Sequence, residues 1–114
     1  GGLVQSKVDA AEARRQKALA HYQYTVSLAF RDVYQSLVQL DASDRQFKSI
    51  QEELTVRKRS IVLAEKSYDA GRTSKFEVLA ETVKALNSAM LLADARFNQL
   101  SARSQYYKAL GGGF

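Results

Sequence analysis

Eight apolar residues stand at intervals of seven along the chain: Leu19, Val26, Val33, Leu40, Phe47, Leu54, Ile61 and Tyr68. An α-helix turns once in about 3.6 residues, so a strict seven keeps to one side only if the helix supercoils left-handedly around a partner. The positions three residues on are Tyr22, Ala29, Ser36, Ser43, Ile50, Arg57 and Ala64, mostly small, which lets a partner backbone approach closely. Phe30 and Leu37 widen the stripe locally. Further along, Leu79, Val83, Leu86, Met90, Ala93, Phe97, Leu100, Ser104 and Tyr107 alternate steps of four and three, the a/d pattern of a coiled-coil seam. Both stretches predict long helices with one apolar stripe each.

The joint between them is legible as well. Gly71 suits the left-handed conformation that ends a helix at C′. Ser74-Lys75-Phe76-Glu77 reads as S-x-x-E, a capping box in which Ser74 caps the next helix and Glu77 reaches back to it. A tight turn makes the helices antiparallel. The expected fold is all-α, a long asymmetric hairpin with a helix over about 3–69, a turn over about 70–73 and a helix over about 74–109. At about 1.5 Å per residue the first helix spans on the order of 100 Å and the second roughly 54 Å. The second helix can therefore cover only about residues 35–69 of the first. Leu19, Tyr22, Val26, Phe30 and Val33 are left without a partner inside the chain, and self-association through the N-terminal half, or else fraying there, is expected.

Composition agrees with this reading. The 114 residues contain no Pro, Cys or Trp, and Gly occurs only at Gly1-Gly2, Gly71 and Gly111-Gly112-Gly113. Such a chain is written for uninterrupted helix, and its length suits a single unit over 1–114. Without Cys there is no disulfide framework and no thiolate metal site. No apolar run approaches the ~18 residues of a membrane span. The chain opens on Gly1-Gly2 with no charged and then apolar leader, so an export signal is expected outside it.

The formal charge of +5 raises the possibility of nucleic-acid binding, but the basic residues are scattered along both helices and interspersed with acidic ones. The one cluster, Arg57-Lys58-Arg59, has no interleaved aromatic to stack bases. It reads as a solvated helix face. Catalysis is not expected either. His21 is the single histidine and has no second His or Cys with which to share a metal. Glu52 and Glu53 are adjacent and diverge from a helix, and there is no phosphate loop and no G-x-S-x-G. No cofactor is implied.

The segment Tyr68-Asp69-Ala70-Gly71-Arg72-Thr73-Ser74-Lys75-Phe76-Glu77-Val78-Leu79 resembles the helix-turn-helix tip of TolC-like outer-membrane efflux proteins, approximately Y-x-x-G-x-x-(S/T)-x-x-(D/E)-V-L. The opening, Gly1-Gly2-Leu3 leading to Val8-Asp9-Ala10-Ala11-Glu12-Ala13-Arg14, is similar to the passage from barrel strand to periplasmic helix in that family. The ending, Tyr107-Lys108-Ala109-Leu110-Gly111-Gly112-Gly113-Phe114, resembles the tail of its lipoprotein-type branch. The resemblance implies one helical arm of a homotrimeric channel of the bacterial outer membrane, with this segment in the periplasm. It would be a passive conduit working with a periplasmic adaptor protein and an inner-membrane pump. Gly71, Arg72, Thr73 and Ser74 match the tip that docks the adaptor. Glu77 matches an acidic position facing the pore near its constriction, and its capping role stands beside that reading. The family often has a second acidic residue three positions on, where this chain has Ala80 with Glu81 next to it. Two alternatives share the hairpin pattern: the hairpin of a periplasmic adaptor, and a structural coiled-coil assembly arm. The unequal helices speak against the adaptor.

Overall fold

A computed structural model describes residues 1–111 and consists of two helices, α1 (Gly2–Asp69) and α2 (Lys75–Gly111), folded back on each other. The hairpin measures 105 × 18 × 14 Å, the length expected of a 68-residue helix. The boundaries fall within two residues of those read from the sequence, with α2 running on through Gly111. Gly112, Gly113 and Phe114, which carry the end of the tail likeness, lie outside the described residues.

The two helix ends that meet at the turn carry complementary charges. Lys66 in the last turn of α1 and Glu77 in the first turn of α2 carry the signs that oppose the helix dipoles. Pairs such as Asp41–Arg45 at 3.0 Å and Glu12–Arg15 at 2.9 Å staple the solvated face of α1. Exposed pairs of this kind stabilise a helix by about 0.3–0.5 kcal/mol each.

The register between the helices follows from three contacts: Lys75 with Tyr68, Arg96 with Phe47, and Gln99 with Asp44. They advance in step along antiparallel axes and bring Gly111 level with about residue 32 of α1, both helices rising equally per residue. Residues 1–25 of α1 are exposed throughout, among them Leu19 and Tyr22. At the edge of this stretch Tyr22, Val26, Ala29 and Phe30 line an apolar hollow on α1.

On α1 the side turned to α2 is built from Val33, Leu40, Phe47, Leu54 and Ile61, all half-buried, with Ser36, Ser43, Ile50, Arg57 and Ala64 between them. Val26 is half-buried, whereas Leu19 and Tyr68 are exposed. The serines serve as small seam residues because their hydroxyls are satisfied by their own helix. Ser36 Oγ donates to the Val33 carbonyl and Ser43 Oγ to the Leu40 carbonyl, both at 2.8 Å.

On α2 the expected seam is corrected. Leu79, Val83, Leu86, Met90, Ala93, Phe97, Leu100, Ser104 and Tyr107 are all exposed, Met90 at 66% and Phe97 at 70%. The face that meets α1 is instead Val78, Ala85, Leu92, Gln99 and Tyr106, one repeat of seven, together with Ser88, Ala95 and Ala102, a second. Ala95 and Ala102 retain only 2% and 3% of their surface. This face lies on the order of 100–140° around the helix from the large apolar stripe. The physical reason is close packing: a face of Ala and Ser lets the large residues of α1 insert while the two backbones approach. The larger stripe of α2 is thereby turned outward.

Candidate functional site at the hairpin tip

The five residues between the helices owe their path to Gly71, whose φ of +73° is the only positive value among the described residues. Its amide N–H donates to the Tyr68 carbonyl and that of Arg72 to the Ser67 carbonyl, both at 2.9 Å. This pair of bonds is the Schellman motif, with Gly71 at C′ and Arg72 at C″. It satisfies carbonyls that the end of α1 would otherwise leave unpaired. A Cβ built on Gly71 would meet nothing within 4 Å, so the demand for glycine comes from the backbone angle alone.

Ser74 stands at the start of α2, where its carbonyl accepts from the Glu77 N–H at 3.1 Å. The reciprocal side-chain bonds expected of a capping box are not among the hydrogen bonds of the described residues: neither Ser74 Oγ nor the Glu77 carboxylate is paired. Glu77 is exposed. Its charge still acts favourably on the helix dipole from the first turn.

Around this frame the side chains divide by exposure. Arg72 and Ser74 project into solvent, and Lys75 lies over the Tyr68 ring at 5.1 Å from its centroid. Thr73 is half-buried, and its Oγ1 is enclosed without a hydrogen-bond partner among the described residues. Phe76 is 78% exposed, more than any other large hydrophobic side chain described. Its signal in the sequence is a bulky apolar residue inside the cap of a turn.

Just behind the tip, Ser60, Leu63 and Ala64 of α1 and Glu77, Ala80, Glu81 and Lys84 of α2 line a shallow groove. Glu77 and Glu81 are four apart, hence on one face. The second carboxylate of this region is thus Glu81, the neighbour of Ala80 already noted in the sequence. Lys84 sits 3.4 Å from the Glu81 carboxylate and partly offsets it. No group of three or more His, Cys, Asp or Glu side chains arranged to hold a metal occurs among the described residues. At the far end of α1, the Arg15 guanidinium beside Glu12 holds its carboxyl below the usual carboxylate range. No described helix is long and apolar enough to cross a membrane.

No solved structure matches the chain. Among curated proteins it is 35% identical over 114 residues to the pyoverdine export outer membrane protein OpmQ of Pseudomonas aeruginosa, covering 99% of the chain and 24% of that protein. It is 29% identical to the solvent efflux pump outer membrane protein SrpC of Pseudomonas putida, with 99% and 24% covered. To the outer membrane protein OprJ of Pseudomonas aeruginosa it is 26% identical, with 100% and 24% covered. The chain thus spans about a quarter of the length of the relatives it matches. These relatives are outer membrane proteins, two of them named for export or efflux. With the outer membrane efflux protein family matching over residues 1–112, the chain belongs to that family.

Proposed function

We propose that the chain is the periplasmic helical arm of a trimeric outer-membrane efflux channel, residues 1–114 forming one hairpin of a larger protein. One observation carries this reading: the hairpin is a thin rod that leaves a row of large apolar residues exposed on each helix, besides those it buries between them. Leu79, Leu86, Met90 and Phe97 on α2 and Leu19, Tyr22 and Phe30 on α1 are exposed in the hairpin alone. A wall segment of a helical tunnel needs lateral neighbours on both sides. The rest of the protein and adjacent subunits supply them. Exported molecules pass along such a wall unchanged, without catalysis.

The tip at Gly71, Arg72, Thr73 and Ser74 meets the periplasmic adaptor, which links the channel to an inner-membrane pump. The exposed Phe76 adds an apolar anchor to that contact. Glu77, with Glu81 behind it, is the candidate for a negative ring where the tunnel narrows. The experiment is Gly71→Val in the full-length protein, followed by toxicant tolerance and by the amount of trimer in the outer membrane. A β-branched residue forced to positive φ distorts the turn, so efflux is expected to fall while assembly is kept. Unchanged tolerance would remove the tip from the docking interface.

A further inference from the structure

α2 carries two faces that compete for α1. One is large and apolar, with Leu79, Val83, Leu86, Met90, Phe97, Leu100 and Tyr107; the other is small, with Ala85, Ser88, Ala95 and Ala102 around Gln99. Burying the large face against α1 would remove more apolar surface from water. Area alone therefore favours the arrangement that the hairpin does not adopt.

The largest polar side chain buried on this face is Gln99, only 5% exposed. Its Nε2 donates to Asp44 Oδ1 at 2.7 Å, and its Oε1 accepts from Arg96 Nη1 at 2.8 Å. Arg96 also lies over the Phe47 ring at 5.5 Å, and Arg103 Nη2 is 3.9 Å from Asp44 Oδ1. The Gln99–Asp44 bond is the one side-chain hydrogen bond between the helices among the described residues. It lies about seven helical turns beyond the tip, where the turn no longer dictates the rotation of α2.

We infer that the Asp44–Gln99 pair, braced by Arg96 and Arg103, selects which face of α2 rests on α1. Turning the large stripe inward would set Leu100 against the half-buried Asp44 carboxylate and strip it of its partner. An unpaired carboxylate against an apolar surface opposes that state, whereas the observed face satisfies both ends of the Gln99 carboxamide. A single buried polar residue at a seam position is a known way to choose one helix arrangement over another at some loss of stability. The inference is independent of the channel reading, since it concerns only how the two helices meet.

The chain has no cysteine, so paired substitutions report the face directly. In residues 1–114, Ser43→Cys with Ala102→Cys reports the observed face, both positions lining one groove. Ser43→Cys with Ser104→Cys reports the alternative, Ser104 being exposed. The readout is the ratio of the two intramolecular disulfide yields at high dilution, with helix content followed by circular dichroism. Gln99→Leu is expected to lower the ratio by at least about tenfold, the effect of losing hydrogen bonds to charged groups. Asp44→Leu removes the same bond from the other helix and is expected to shift the ratio the same way. Asp44→Asn keeps an acceptor for Gln99 but removes the charge, and is expected to lower the ratio less than either Leu variant. An unchanged ratio in both Leu variants would overturn the inference. So would an equal loss of both disulfides, which would make the pair a clamp without preference for a face.

Discussion

At the scale of single residues, Gly71 and Glu77 show how one position serves backbone and surface differently. Gly71 is held at φ +73° with open space around its Cα. Gly71→Ala therefore meets no clash and loses only what a Cβ loses in the left-handed region, about 1 kcal/mol. Chemical denaturation of the two chains measures it, and a loss below a few tenths of a kcal/mol would mean that the Schellman turn is not maintained in solution. Glu77 makes no side-chain hydrogen bond among the described residues, so Glu77→Lys disturbs the turn little beyond its unfavourable sign at the helix N-terminus. In a trimer the same change replaces three negative charges by three positive ones. Single-channel recording of the full-length protein is expected to show weakened or reversed cation preference. Conductance and selectivity equal to the parent's would confine Glu77 to the helix end.

At the scale of the helix, α2 reverses the usual relation between residue size and burial. Ala95 is 2% exposed and Met90 is 66% exposed. Ala95→Leu is expected to destabilise the hairpin by about 1–3 kcal/mol, because three added heavy atoms must separate two closely packed helices. Met90→Ala is expected to change stability by no more than about 0.5 kcal/mol, as for exposed positions generally. Thermal unfolding of both variants at low concentration makes the comparison. The opposite order would return the large stripe to the intrachain seam. In the parent protein, where neighbours are proposed to cover that stripe, Met90→Ala should affect assembly more than it affects the hairpin.

For the whole molecule, the decisive feature is the unequal length of the helices. α2 ends at Gly111, level with about residue 32, by the equal rise of the two helices. Leu19, Tyr22, Tyr24 and Phe30 are left in water, along with the outer stripe of α2. Covering a large apolar side chain is worth on the order of 1.5–3 kcal/mol at full burial, an upper bound. The isolated chain is expected to self-associate, and as a monomer to exchange its amides rapidly over the first third of α1. Sedimentation equilibrium with hydrogen exchange checks both. A strictly monomeric chain with slow exchange from residue 15 to 33 would show that this region is stable without a partner.

Much of this was legible in local order. The absence of Pro, the placement of Gly71 and the sevens from Val26 to Ile61 set helix, turn and helix within two residues, because these signals act through the backbone or through one face of one helix. The tip motif likewise marked the family from a dozen contiguous residues. What only the tertiary structure decided was the rotation of α2. Its sequence holds two stripes, both with coiled-coil spacing, and periodicity reports that a stripe exists without saying what covers it. The choice depends on fit across the seam, where the small face of Ala85, Ser88, Ala95 and Ala102 accepts the large residues of α1. It depends also on a bond between Asp44 and Gln99, which are 55 positions apart. Glu77 and Glu81 show how spacing along a helix adds to what a linear motif gives. A motif aligns positions in a line, whereas a helix brings the fourth residue onto the same face as the first.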